Sequence, residues 1–495
     1  MPRRALPIFF ALTALAALAT PILADLDSAF IGHIPHFDLG QGPMPGDGAG
    51  TAVASGDFDG DGLEDFAIGV PFMDVDGVED RGMVYVRYRQ GTAAQTLFQT
   101  TGDGAFVNFG AALAASDFDG DGYDDLVVGV PGYPGPTNRG GYVIFEGSED
   151  GLTSPFFSTA GSENARLGSS LAVAGNWLFV GAPGQEIDGE AVGAVFYENA
   201  DPIADCPLEW IHQDWAGVPG VGEDGDGWGS SLATADYLPF LGLVDLWVGA
   251  PQEDIGAVAD AGAVWNFSFS FFGTCDELDV IGAELFYQGD GQVPGVAEAG
   301  DRFGEALAAG DFDGDGRDGV AVGVPREDRE SDALGDTGCV HVLNENGSDA
   351  CRFADDLGLT ATPGQQMGSA LAAGDHDFNG FDDLLIGVPG ADRDFGRQGA
   401  VILALGSSMT GASPYLTFWD APEQSNSFAN FGSSVAFFEA GNKPALDLLV
   451  GIPGFDAEGQ DRSGITAQIL LSNCQILVDG FETGDFSRWD GVVNP

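Results

Sequence analysis

The sequence predicts an all-β chain, a seven-bladed β-propeller of four-stranded blades closed by an N-terminal strand. Three observations carry that expectation. A G-x-P word ends a short apolar run seven times, at Pro71, Pro131, Pro183, Pro251, Pro325, Pro389 and Pro453. A second marker runs in step with it, as in "NFGAALA", "RLGSSLA", "GWGSSLA", "RFGEALA", "QMGSALA" and "NFGSSVA", with the weaker "GAGTAVA" in front of the first copy. Between the markers lie short strand-like segments separated by Gly, Pro and Asp, with no run of helical period and length.

Each repeat holds four such segments. In the second they are "AALAAS", "LVVGV", "YVIFEG" and "PFFSTA", of strand length and rich in β-branched and aromatic residues. Radial repetition of four-stranded units is the propeller pattern, with blades numbering 4 to 8. An open stack would need polar caps on its end repeats, yet the last copy, "DLLVGIPG…GITAQILL", stays apolar. The segment "HIPHFDLG" (33–40) is expected to supply its missing outer strand.

The chain begins "MPRRALPIFFALTALAALATPILA", basic, then apolar, then small, which reads as a signal peptide over residues 1–24. The propeller is then expected over 25–472, with a C-terminal tail at 473–495. No later apolar stretch approaches the ~18 residues of a membrane span, so a secreted or cell-surface location follows, with the periplasm open. The tail "DGFETGDFSRW" resembles a sorting segment of exported bacterial proteins; a frayed end is the alternative.

The formal net charge is −60. That field repels nucleic acid and anionic membranes, both of which are bound through Lys and Arg. Disorder, the other common reading of high charge, fails against 44% hydrophobic residues. Five Cys in an exported chain favour disulfides. Cys339 and Cys351 flank a strand–turn–strand segment and are expected to pair; Cys206 and Cys275 form a second possible pair, and Cys474 is left over.

The acidic loops carry the chemistry. Their frame is D-x-[DN]-x-[DN]-G-x-x-D. In the first repeat it is filled by Asp57, Asp59, Asp61, the Leu63 carbonyl and Asp65, and in the second by Asp117, Asp119, Asp121, the Tyr123 carbonyl and Asp125. The fifth has Asp311, Asp313, Asp315 and the Arg317 carbonyl, but Gly319 where the closing Asp belongs, so its site is doubtful. The sixth has Asp375, Asp377, Asn379, the Phe381 carbonyl and Asp383. Alternate oxygen donors on a tight turn suit Ca²⁺, which takes 6–8 of them, better than octahedral Mg²⁺. Three to four ions are expected. An EF-hand is excluded, because its bidentate Glu at position twelve is replaced by Ile68, Val128, Val322 or Ile386. Asp245 and Asp447 persist in repeats that have lost the loop and read as turn residues.

The paired markers with an Asp-rich loop between them resemble the FG-GAP repeats of the integrin α-subunit propeller, also found in exported bacterial proteins. The resemblance covers roughly residues 30–472, and "HFDLG" is similar to that family's closing strand. It implies a calcium-binding adhesion module with a protein or glycan ligand, on the face opposite the calcium hairpins. The loops on that face differ in sequence, as in 72–80, 132–139 and 326–336. No G-x-S-x-G, H-E-x-x-H or phosphate-cradling loop occurs, and the five His are scattered. The expectation is therefore a protein that is not an enzyme. The alternatives are an exported lyase or phosphoesterase on a calcium propeller, and a structural envelope module.

Overall fold

In a computed structural model, residues 22–23 and 46–469 are described, except 90–93, 99–106, 134–138, 201–206, 239–242, 271–278, 330–333, 345–346, 349, 393–397, 407–414, 420–429, 439–445 and 455–464. "HIPHFDLG", the tail, Cys206, Cys275 and Cys474 lie outside the described residues.

Each repeat folds into its own antiparallel sheet, with strands in chain order from the inner to the outer edge. The second blade is typical: Leu113–Ser116, Asp125–Gly129, Tyr142–Glu146 and Thr153–Ser158. The second strand of a blade is buried on both faces, as its continuous apolar run requires. Blades pack face to face, so the apolar side chains of neighbours merge into shared clusters, such as Phe58, Val84 and Phe109 with Leu126, Val128 and Phe145.

The two markers are the contact between blades. The G-x-P glycine of one blade lies against the marker glycine of the next: a Cβ on Gly69 would strike the Gly110 carbonyl, and one on Gly129 the Gly168 carbonyl. Only glycine permits that approach. Within a blade the same two words bond each other, as in Gly110 N–H to Gly129 O (3.0 Å). The residue before the marker glycine is inserted between blades, and Phe109, Trp228, Phe303, Met367 and Phe431 are fully buried.

The blade count corrects the expectation. Among the described residues, complete four-stranded blades number six, not seven, and no strand is seen to close a sheet across the chain's ends. The described strands of the seventh repeat are Ser434–Phe438, Asp447–Ile452 and Ile465–Ile469. Nothing among the described residues pairs with the outer edge of Ile465–Ile469. The N-terminal strand that is described, Ile22–Leu23, instead runs parallel to Tyr415–Trp419 at the edge of the sixth blade. The three-stranded sheet is held by packing: Ser434 Oγ donates to Gly50 O (2.9 Å), and Ser55 Oγ to Phe437 O (3.0 Å). Cys339 and Cys351 form a disulfide in the fifth blade, with Cα atoms 5.7 Å apart.

Candidate metal centres

The acidic loops join the first two strands of blades one, two, five and six. In each, three carboxylates supply oxygens within 4.8 Å of one another. The sets are Asp57, Asp59 and Asp61; Asp117, Asp119 and Asp125; Asp311, Asp313 and Asp315; and Asp375, Asp377 and Asp383. Asp65, Asp121 and Asn379 belong to the same loops but stand outside these sets.

One hydrogen-bond pattern builds all four loops. The first Asp accepts the N–H of the sixth-position glycine, from Gly62, Gly122, Gly316 and Gly380 at 2.8–3.0 Å. Those glycines have φ between +83° and +93°, which L side chains resist. The fifth-position oxygen accepts the N–H two residues on, at Leu63, Tyr123, Arg317 and Phe381. These Asx-turns hold the tight loops that gather the carboxylates.

The closing Asp does a further job. Asp65 accepts Phe58 N–H and Arg89 N–H, Asp125 accepts Phe118 N–H and Gly147 N–H, and Asp383 accepts His376 N–H and Gly406 N–H. One carboxylate thus ties the loop to the end of the third strand. Gly319 removes that tie in the fifth blade, leaving a small cavity lined by Asp313, Asp315, Asp318 and Asn344. The bonds from Asp315, Gly316 and Arg317 N–H within the loop remain, so its shape survives the substitution.

Burial raises the closing carboxyls first, and the neighbouring loop carboxylates raise them further. Asp65 is pushed up to about 8, Asp383 to about 7 and Asp125 to about 6, against the backbone N–H bonds that favour the charged form. A cation among these oxygens would reverse that repulsion. The donor set fits one: hard oxygens throughout, with Asp57 Oδ1 buried and without a hydrogen-bond partner.

Sequence reasoning missed how adjacent loops interlock. The eighth-position Asp of the second blade, Asp124, accepts Asp57 N–H of the first (2.8 Å), and Asp124 N–H donates back to Asp57 O (3.0 Å). Asp382 and Asp311 repeat the exchange between the fifth and sixth blades, at 2.8 and 2.9 Å. The seventh-position aromatics, Tyr123 and Phe381, cover Gly60 and Gly314 of the preceding loops. The signal was an Asp beside the closing Asp, following a repeat that also has a loop. His376 plays the corresponding part toward the seventh sheet, its Nδ1 2.7 Å from Leu446 O. Asp245 and Asp447, expected in turns, are buried within strands.

Four segments, 49–86, 109–145, 303–343 and 367–403, match the model of the FG-GAP repeat. They are the four blades with acidic loops. The fold is a β-propeller similar to that of integrin α chains, and these four of its blades match the FG-GAP repeat. The chain is 31% identical to Integrin alpha-5 of Xenopus laevis over 221 residues, 41% of this chain and 20% of that protein. It is 40% identical to Integrin alpha-PS2 of Drosophila melanogaster over 119 residues, 22% of this chain and 8% of that one. It is also 36% identical to the phosphatidylinositol-glycan-specific phospholipase D of Rattus norvegicus over 126 residues, 25% of this chain and 14% of that one. The chain therefore spans a fifth or less of these relatives' length. Integrin α chains predominate among these relatives, and no catalytic constellation is evident among the described residues. Among those residues no helix is long and apolar enough to cross a membrane.

Proposed function

We propose that this propeller is an exported, calcium-stabilised binding or adhesion module. Its loops in blades one, two and six each hold one Ca²⁺, and the loop of blade five holds a weaker one. The ligands are the Asp and Asn side chains of the four frames and the carbonyls of Leu63, Tyr123, Arg317 and Phe381. The observation that carries the reading is the fourfold repetition of one loop geometry that gathers three carboxylates onto one point. Nothing cationic in the loop frames themselves offsets them except Arg317.

The ions set geometry rather than perform a reaction. Extracellular calcium modules bind with Kd of ~10⁻⁴ to 10⁻³ M, and an ion present at 10 to 100 times Kd adds about 1.4 to 2.7 kcal/mol. Several such sites amount to a large share of the ~5–15 kcal/mol by which a domain is stable. Recognition is assigned to the opposite face, whose loops differ from blade to blade on a rigid frame. The net acidity favours a cationic or neutral protein or glycan.

The test is a protein and glycan array probed with the full chain in Ca²⁺ and in chelator. Gly/Ser replacement of 72–80 and 326–336 should abolish capture while the melting temperature stays within a few degrees. Capture that survives these replacements but fails when the calcium-loop face is altered would overturn the choice of face.

A further inference from the structure

A second set of acids, three of its four members buried, lies on the face opposite the calcium loops. In the fourth blade Asp226 stands three residues before the marker glycine, Gly229, and Glu253 two residues after Pro251. In the fifth, Asp301 and Glu327 hold the same places relative to Gly304 and Pro325. The backbone confirms the equivalence: Gln252 N–H donates to Asp226 O, and Arg326 N–H to Asp301 O, both at 3.3 Å. In other blades the corresponding bonds join Val107 to Gly132, Ala165 to Gly184 and Gln365 to Gly390, next to Tyr133, Gln185 and Ala391. The fold itself therefore does not require a pair of carboxyls here.

A glutamine completes each pair. Gln213 and Gln288 both lie sixteen residues before their marker glycine. Gln213 Nε2 donates to both oxygens of Glu253, at 3.0 and 3.2 Å, and to Val221 O at 3.1 Å. Gln288 Nε2 donates to Glu327 Oε2 at 2.8 Å. The N–H groups of Glu223 and Glu298 donate to Asp226 and Asp301, both at 2.6 Å. Gln213 is 0% exposed and Gln288 2%. In both glutamines Oε1 is buried with no hydrogen-bond partner.

The charge of these groups is unbalanced. The electrostatic neighbours of Asp301 are Glu327, Glu298 and Asp328, and those of Asp226 include Glu223 and Asp254. From residue 167 to residue 301 the chain has neither Lys nor Arg. Neighbouring carboxyls, of which Asp226, Glu253 and Asp301 are buried, must be neutralised by protons or by a cation. The orphaned amide oxygens favour a cation, since half a turn of each amide exchanges Nε2 for Oε1 and adds a hard ligand to the two carboxylates. We propose that Gln213–Asp226–Glu253 and Gln288–Asp301–Glu327 are two further calcium sites, chemically distinct from the acidic loops and on the other face of the propeller.

The fourth-blade site carries its own reporter. Gly220 is crowded at once by Gln213 Nε2 and by the Trp265 ring, so the indole and the amide are neighbours. Trp265 Nε1 donates to Pro219 O at 2.7 Å. Terbium in that site is expected to show emission sensitised by Trp excitation. Equilibrium dialysis of the full chain against Ca²⁺ should give about two fewer ions for Glu253→Gln/Glu327→Gln than for the unaltered chain. Trp-sensitised terbium emission should vanish in Glu253→Gln and persist in Asp117→Ala/Asp375→Ala, which separates these sites from the loops. Gln213→Glu, by adding a carboxylate, should tighten Ca²⁺ binding several-fold. An unchanged ion count in the double variant, emission that survives Glu253→Gln, or weaker binding by Gln213→Glu would each overturn the proposal and leave a shared proton as the neutralising charge.

Discussion

Blades one, two, five and six and blades three and four meet the same demand with different chemistry. The inner two strands of every blade must be joined by a turn that holds its shape against the next blade. In the first group the turn is an acidic loop, interlocked with its neighbour by Asp124 on Asp57 and by Asp382 on Asp311. In the second group it has no such loop. Blade three turns through Gly175–Asn176 alone, and all four strands of blade four are eight residues long. Aromatic rings replace the loops: Phe179 packs on Phe269 at 5.8 Å between centroids, and Trp228 meets Phe267 and Trp265 edge-on. Six of the eight Trp fall in this arc, at 177, 210, 215, 228, 247 and 265. The repeat signature matches only the loop-bearing blades. The difference shows that the marker glycines define the fold, while the loop is a replaceable device for rigidity.

Removing metal should break the symmetry between the two arcs most strongly. Chelation is expected to lower the melting temperature by roughly 5–15 °C, from several ions at about 1.4–2.7 kcal/mol each. Hydrogen exchange in chelator should rise at 57–65, 117–125 and 375–383 and stay low at 177–182 in the third blade. Uniform exchange across both arcs would mean that the loops do not carry the metal.

The converse test attacks the aromatic arc. Trp228 is fully buried between two blades, and Trp228→Ala should cost about 3–5 kcal/mol. The loss is read from chemical denaturation, and it should persist in chelator, because the packing does not depend on metal.

A pH series sharpens the contrast without mutation. Asp65, Asp383 and Asp125 have pKa values raised above those of the unfolded chain, so the folded, metal-free chain binds more protons than the unfolded one. The stability these groups contribute is then fully present below about pH 4 and is lost as pH rises through about 6, 7 and 8. Saturating Ca²⁺ should flatten that slope. A metal-free melting temperature that rises between pH 5 and 8 would contradict the loop electrostatics.

Much of this was legible in the sequence, because it rests on local words. The glycine markers, the D-x-D-x-D-G frame and the Cys339–Cys351 pair each state a backbone or ligand requirement within a few residues. What was hidden depends on neighbours far away in sequence. Asp124 looked like a spare carboxylate until its partner in another blade, Asp57, stood beside it. Gln213, Asp226 and Glu253 span three loops and share no motif. Among the described residues the seventh sheet has three strands, and the expected source of a fourth, 33–40, lies outside them.

The smallest effect tests the interlocking itself. Gly60 and Gly120 occupy the same fourth position of successive loops, with φ of +69° and +73°. Replacement by Ala imposes the same backbone strain on both, about 1 kcal/mol. The surroundings differ. A Cβ at Gly60 would lie 2.5 Å from the Tyr123 ring, whereas nothing lies within 4 Å of one at Gly120, whose following blade has no loop. The sixth loop already shows that the backbone alone tolerates a side chain there, since Phe378 takes the position at φ +55°. Gly120→Ala should therefore cost about 1 kcal/mol, and Gly60→Ala about 1–3 kcal/mol more through the overlap. Adding Tyr123→Ala to Gly60→Ala should recover most of that excess, a coupling read from a double-mutant cycle. Equal costs at Gly60 and Gly120, or no coupling to Tyr123, would show that adjacent loops fold independently.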